Sequence, residues 1–368
     1  MPKREGQEVT PREAGFAMPA EWAPHAGCWM IWPERPDNWR LGAKPAQKAF
    51  TEVASAIARF EPVTMLVSRR QYDHARAMLP PGVRVVEMSS DDAWARDVAC
   101  TFLLGPGGEL AGVDWPFTSW GGLYFPWDKD DAIARKILEL ERARRFRAPL
   151  VMEGGALHVD GEGTVLAVEQ CVLNENRNRG VTRQEMERML KDYTGSRHVI
   201  WLKEGVPHDE TDGHVDNLAC FAAPGVVLLS WCDDPADPHY AVSRDAEAAL
   251  QAARDARGRR LRVEKIPMPA PMFYTAEEAD GVDATATGMN REAGARLAAS
   301  YVNFYIANGA IIAPAFGAET DAPARAVLAR LFPGREIVMI PAREILLGGG
   351  NIHCITQQQP KSTAPGGP

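Results

Sequence analysis

Three stretches of this chain share one construction, and that construction constrains the fold more than any other feature. Residues 156–168 turn at DGEG, residues 217–230 at APG and residues 301–314 at ANG. In each, two apolar runs flank a short Gly-bearing turn, the pattern of a β-hairpin. Helical stretches are interleaved with them. Residues 63–67 and 83–88 read as strands around a helix over 71–79, which Pro80 and Pro81 end. Ile133, Ile137 and Leu140 give residues 131–147 a helical spacing. Thr182, with Glu185 three residues on, is a capping box for a helix over 183–193. Residues 244–257 form an Ala-rich amphipathic helix with Ser243 as N-cap and Gly258 just past its end. Residues 322–332 form another, stopped by Pro333 and Gly334.

The units also echo one another. EGGALHVDGEGTVLAV and TDGHVDNLACFAAPGVVLL share HVD followed by a turn and an apolar strand, and GGALH at 154–158 resembles GGNIH at 349–353. We read a weak internal repeat of hairpin plus helix. Chance similarity among Gly- and Val-rich strings is the alternative. Repeated units would pack radially, with active residues converging from several of them. No Ser/Gly or Pro run divides the chain, so residues 19–360 are expected to form a single α/β domain. Residues 1–18 are expected to be a loose arm and residues 361–368 a frayed tail.

Charge narrows the partners. Lys and Arg number 41 against 49 Asp and Glu, a net charge of −8. A polyanion needs clustered cations, so nucleic acid is not expected, whereas a small cation is mildly attracted. No apolar run approaches the roughly 18–20 residues of a membrane helix. The N-terminal stretch lacks the apolar core of a secretory signal, and a cytoplasmic location with reduced thiols is expected. Six cysteines stand at 28, 100, 171, 220, 232 and 354, with no CxxC pair. A structural zinc site and a disulfide framework are both disfavoured.

Cys354 stands out from the other five, which are expected to be buried structural thiols. It follows three glycines in LLGGGNIHCITQQQP, where the backbone can take positive φ and approach a ligand closely. A structural thiol is the alternative here too. GGGN lacks the Lys-Ser/Thr of a phosphate loop. His353 is adjacent, but neighbours on a strand face opposite sides. His214 is the better partner: in DGHVDN, His214 and Asp216 would share one face of a strand and combine proton transfer with charge recognition. The alternatives are a structural histidine or half a metal site, although no further ligands sit at matching spacing. DDAWARD at 91–97 sets Trp94 among acids, as a cation pocket would; a solvated acidic loop is the alternative. Glu153 precedes Gly154 and Gly155, and DETDGHVDN adds Asp209, Glu210 and Asp212. Many acids, one thiol, one histidine and aromatic rings suit a thiol enzyme acting on a small cation.

MPAEWAPHAGCWMIWP, DDAWARD, EGGALHVDGEG, LNENRNRG, DGHVDN, SYVNFYIANGAIIAPAFG and REILLGGGNIHCITQQQP together resemble the agmatine deiminases. These belong to the guanidine-modifying superfamily and the bacterial peptidyl-arginine deiminase-like family. The resemblance runs from residue 18 to residue 360. It implies a five-bladed, pseudo-symmetric α/β propeller of pentein type, built from ββαβ units around a central site. It implies hydrolysis of agmatine to N-carbamoylputrescine and ammonia, a step of putrescine and polyamine metabolism, without metal or organic cofactor. By motif match Cys354 is the nucleophile and His214 the general acid/base. Asp97 and Asp216 grip the guanidinium, Glu153 sits with the histidine, and Trp94 walls the pocket.

The residue types suit that chemistry. A guanidinium is planar and cationic, and two carboxylates can fix its plane for perpendicular attack by a thiolate. For the distal ammonium of agmatine, Glu210 is the first candidate and Asp209 the second; both being surface acids is the alternative. Asp212 stands where the family commonly has Asn, and its charge is expected to raise the pKa of His214. Deimination of free or peptidyl arginine, and a catalytically inactive polyamine-binding protein on the same scaffold, remain the other readings. A homo-oligomer is expected on general grounds.

Overall fold

The computed structural model describes residues 9–364. Its strands fall into five units of like build. The first contains β1 (His25–Ile31), β2 (Val63–Val67) and β3 (Arg84–Glu87). The second contains β4 (Thr101–Leu104), β5 (Leu110–Asp114) and β6 (Arg144–Arg147). The third has β7 (Leu157–Val159), β8 (Thr164–Val168) and β9 (His198–Leu202), and the fourth β10 (Ala219–Ala223), β11 (Val226–Trp231) and β12 (Arg262–Pro267). A short pair, β13 (Met272–Phe273) with β14 (Arg296–Leu297), precedes the fifth unit: β15 (Tyr305–Ile306), β16 (Ala310–Ala315) and β17 (Glu336–Pro341). The last strand is β18 (Gln357–Pro360).

In units two to five the first two strands pair antiparallel and the third joins the second in parallel. Parallel pairing demands a crossover, and each unit supplies a helix for it. These are Ile133–Leu140, Arg183–Thr194, His239–Ala252 and Asp321–Leu331. The first unit obtains its antiparallel strand from the far end of the chain. Gln358 of β18 pairs with Cys28 of β1, and helix Lys44–Ile57 then crosses to the parallel β2. Five ββαβ units closed by β18 make the α/β propeller, and the hairpins expected at DGEG, APG and ANG are three of its five antiparallel pairs. The middle strand of each unit is covered on both faces, so β8 reads TVLAV and is buried throughout.

Several local expectations differ from the structure. The helix expected over 131–147 ends at Leu140; the chain turns at Arg142 (φ 50°), and Arg144–Arg147 becomes β6, because pairing with β5 outweighs local helical preference. The helix expected over 244–257 begins earlier, at His239, where the Asp237 side chain accepts the His239 N–H at 2.9 Å. Ser243 therefore lies inside the helix and donates back to the Tyr240 carbonyl rather than capping. That helix stops at Ala252, and Gly258 (φ 79°) serves a turn beyond it. The HVD echo is not structural equivalence: His158 lies in β7, whereas His214 precedes a helical turn.

The arm expected over 1–18 is packed in its described part. Phe16 is buried against Phe146, and Ala17 bridges to Leu104. Residues 1–8 lie outside the described residues. Of the expected tail, Lys361 donates to the Pro24 carbonyl and Thr363 to that of Gly108; residues 365–368 lie outside. Among the described residues no helix is long and apolar enough to cross a membrane.

Candidate active site

Each unit offers the same part of itself to one place: the segment just before its first antiparallel strand. Asp97 lies in the helical turn Ala95–Val98 before β4. Glu153 immediately precedes the turn Gly154–Ala156 that enters β7. His214 heads the turn Val215–Leu218, which carries Asp216, before β10. Asn303 precedes β15, and Cys354 sits in the turn before β18. His214 and Asp216 thus meet through a helical turn and not along a strand face. His353 and Cys354 likewise lie in a turn, and their side chains do not point to opposite sides as neighbours on a strand would: both approach Asp216 Oδ2.

The Asn303 side-chain amide donates to Cys354 Sγ at 3.1 Å, and the thiol faces Asp216 Oδ2 at 3.6 Å. Asp97 Oδ1 accepts from the Gly155 N–H and Oδ2 from Trp120 Nε1, both at 2.9 Å. His214 stands between two acids, with Nε2 at 3.4 Å from Glu153 Oε2 and Nδ1 at 3.8 Å from Asp97 Oδ1. Arg177 Nε donates to Glu153 Oε1 at 3.1 Å. All these groups are buried. The packing requires glycine at 155. A Cβ there would lie 2.6 Å from His214 Nδ1, 2.9 Å from Asp216 Oδ2 and 3.1 Å from Asp97 Oδ1. Of the three glycines before Cys354, Gly349 has φ 106°, as the run led us to expect. Gly350 instead makes room for the Trp94 ring, 2.5 Å from where its Cβ would be.

Burial shifts each titration, and neighbouring charges decide the direction. Burial and then Asp216 and Asp97 push the Cys354 thiol well above its ordinary range, so the unliganded residue is a neutral thiol. Burial opposes charge on His214, yet Asp97, Cys171 and Glu153 hold its imidazolium well above the ordinary value. Burial likewise opposes ionisation of Glu153 and Asp216. Arg177 outweighs it for Glu153, and His353 for Asp216, so both carboxyls titrate low. Asp97 is the exception, raised by burial and by its acidic neighbours despite His214.

The cleft above these groups measures about 370 Å³ and is lined by Asp97, His214 and Cys354 with Trp94, Trp120, Tyr124 and Glu210. Trp94 is at the wall, stacked on Trp39 with ring centroids 5.0 Å apart. Glu210 reaches the cleft, but its carboxylate is paired with the Arg291 guanidinium. Asp209 does not line it: Oδ1 accepts from the Thr211 N–H and hydroxyl, and Oδ2 from Asn217, so its carboxylate serves the loop. Asp212 is bound by Arg177 and Asn176, and the charges that raise His214 are others. The expected effect of Asp212 on His214 therefore loses its basis.

The residue-by-residue reading missed Asn303, Trp120, Arg177 and Cys171. The last was expected to be merely structural; its thiol lies within 4.8 Å of the His214 ring and is among the groups that raise the imidazolium. Glu153, Cys171 and His214 bring potential ligand atoms within 4.8 Å of one another. The HxD spacing gave no sign of that triad, because its members are far apart in sequence. Arg177 already balances Glu153 there.

Comparison with known proteins agrees with this architecture. Residues 17–360 match the model of the Porphyromonas-type peptidyl-arginine deiminase family. The agmatine deiminase of Pseudomonas aeruginosa (strain LESB58) is 58% identical over 357 residues, covering 95% of this chain and 97% of that protein. That of Pseudomonas putida KT2440 is 56% identical over the same shares. The solved agmatine deiminase of Enterococcus faecalis superposes with a TM-score of 0.94 at 45% identity, covering 98% of this chain and 100% of that one. With the pre-strand segments of its five units meeting around one thiol, the chain belongs to the Porphyromonas-type peptidyl-arginine deiminase family, and within it stands with the agmatine deiminases.

Proposed function

We propose that the chain hydrolyses agmatine to N-carbamoylputrescine and ammonia through a covalent adduct on Cys354. One observation carries the residue roles: a buried thiol stands 3.6 Å from Asp216 in a cleft that it lines together with Asp97 and His214. A guanidinium entering the cleft is held by Asp97 and Asp216 through its N–H groups. Its positive charge offsets the two carboxylates that keep the thiol neutral, so Cys354 releases its proton to solvent and becomes a thiolate as substrate binds. The thiolate attacks the guanidinium carbon. His214 gives its proton to one terminal nitrogen, the C–N bond breaks, and ammonia leaves an S-alkylthiouronium. Neutral His214 then takes a proton from water as the water oxygen attacks the same carbon. The hydroxyl proton of that adduct passes to the sulfur as the C–S bond breaks, and the ureido product departs with the neutral thiol and protonated His214 restored. Glu153, anchored by Arg177, holds the imidazole between these proton transfers.

Specificity lies at the far end. Arg177 and Arg291, which pair with Glu153 and Glu210, are both engaged by carboxylates, which suits a substrate lacking an α-carboxylate. Trp94, Trp120 and Tyr124 flank the methylene chain, and the distal ammonium shares Glu210 with Arg291. Asp209 is set aside because both its oxygens are engaged. Ammonia release from agmatine, free arginine and a peptidyl arginine, with wild type and Cys354→Ser, tests the reading. Release from agmatine alone, abolished in the variant, is expected. Release from arginine would overturn the specificity argument, and turnover by Cys354→Ser would overturn the nucleophile.

A further inference from the structure

Asp216 is itself held by a residue outside the proposed chemistry. His353 Nδ1 lies 2.8 Å from Asp216 Oδ2, and His353 Nε2 lies 3.0 Å from Glu21 Oε2. All three side chains are buried. A neutral imidazole has one N–H and can donate to only one of these oxygens; the imidazolium donates to both. The surroundings fix the other charges. Glu21 Oε1 accepts from the Ile306 N–H at 3.0 Å. His158 is 3.6 Å from Glu21, and the Phe221 N–H donates to its Nδ1, so His158 is neutral with its proton on Nε2. Arg96 donates to the His353 carbonyl at 3.3 Å, and Asn303 accepts the His353 N–H at 2.9 Å. His214, Asp97, Arg335 and the neutral thiols of Cys220 and Cys354 are the other charged and titratable groups around Asp216 and Glu21. The second oxygen of Asp216, Oδ1, is buried with no partner among the described residues.

We propose that His353 is a positioning residue for substrate recognition. As an imidazolium fixed between Glu21 and Asp216, it keeps Asp216 ionised and holds its Oδ1 ready for a guanidinium N–H. The proposal rests on the reading of Asp216 as a guanidinium holder. Burial and Arg96 oppose the charge on His353, and Glu21 and Asp216 outweigh them. The residue before the nucleophile thus braces the carboxylate beside the nucleophile.

The test compares His353→Asn, Glu21→Gln and Asp216→Asn in two settings. One is steady-state turnover of agmatine across pH; the other is calorimetric binding of agmatine in the Cys354→Ser background. Asn keeps a donor near the Nδ1 position but not the charge. Losing one charge-assisted hydrogen bond is expected to weaken binding by roughly tenfold to a hundredfold. KM should rise more than kcat falls, and the acid limb of kcat/KM should move to higher pH as Asp216 becomes easier to protonate. Glu21→Gln should shift the limb the same way by less. A folded His353→Asn with unmoved KM and acid limb, beside an Asp216→Asn that loses binding, would overturn the brace alone. Parent-like binding by Asp216→Asn would overturn the reading beneath it. Should His353→Asn fail to fold, the acid limb of Glu21→Gln decides in the same sense.

Discussion

A methyl group at residue 155 would enter the space shared by the groups that meet the substrate. Gly155 does not occupy the left-handed region, so alanine is compatible with its backbone. The obstacle is lateral. The new carbon would lie 2.6 Å from His214 Nδ1, where ordinary contact begins at 3.4 Å, and it is also too close to Asp216 and Asp97. The imidazole must therefore retreat by about 0.8 Å, and a misplacement near 1 Å costs on the order of a hundredfold in rate. Overpacking of this kind costs about 1–3 kcal/mol in stability, which a protein of this size survives. Gly155→Ala is thus expected to fold, to melt a few degrees lower and to lose roughly a hundredfold in kcat/KM for agmatine. Gly82→Ala, whose methyl meets nothing within 4 Å, is the silent control. Ammonia release and a thermal melt on both proteins decide the matter. A folded Gly155→Ala within threefold of wild type would refute the claim that the acids and the imidazole work only at their present spacing.

Other consequences follow from titration. Because Cys354 is a neutral thiol without substrate, alkylation by iodoacetamide should be slow near pH 7 and accelerate only in alkaline solution; rapid inactivation of the free enzyme at pH 7 would contradict this. Cys171→Ala removes a neighbour that raises His214, so the alkaline limb of the pH–rate profile should move to lower pH. Alanine at Cys28, Cys100, Cys220 or Cys232 should change stability only, and a limb that stays put in Cys171→Ala would reduce that thiol to packing. His239 is buried with neither ring nitrogen partnered among the described residues, and burial pushes it from the ordinary 6.5 down to about 4. The unfolded chain therefore binds the proton first, and stability should fall by up to about 3 kcal/mol as pH drops from 6.5 to 4. His239→Phe should flatten that decline, and a decline of equal size in the variant would count against the histidine.

What could be read from the sequence depended on the range of the interaction. The Thr182–Glu185 capping box is settled by four consecutive residues and stands in the structure as expected. The hairpins are settled by their turns. The helix at His239 starts earlier than expected because Asp237, whose side chain accepts the His239 N–H, marks its start, a signal weaker than the Ala-rich run that follows. β6 was read as helix because only pairing with β5, over thirty residues away, makes it a strand. The same limit acts at the site. Cys354, His214, Asp216, Asp97 and Glu153 each lie in a distinctive string, and the fold brings them together. Asn303 and Glu21 lie inside strings that carry the family resemblance and Trp120 lies outside them, yet the contacts of all three span distances that no local window covers. Asp209 and Glu210 show the converse: both acids stand near His214 in sequence, but Thr211 and Asn217 occupy Asp209, and Arg291 pairs with Glu210.

The three acids around residue 155 are unequally supported, and the inequality has a measurable consequence. Arg177 stands 3.1 Å from Glu153 and His353 2.8 Å from Asp216, and both carboxyls titrate low. Among the described residues Asp97 has only the neutral donors Trp120 and Gly155 within hydrogen-bond distance, with His214 at 3.8 Å. Burial raises its pKa, and Asp216 and Glu153 add to the rise. Asp97 is accordingly the acid that gains most from the substrate's charge and the first of the three to protonate as pH falls. Binding a guanidinium must then compete with that proton, so affinity for agmatine should decline on acidification through the Asp97 titration. Calorimetry on Cys354→Ser should show this decline, with a proton released on binding at the acid end. Adding Asp97→Asn should lower affinity throughout and flatten the pH dependence, because the competing proton is gone. A decline of unchanged steepness in the double variant would transfer the titration to Asp216. The brace from His353 would then be too weak to keep that carboxylate ionised.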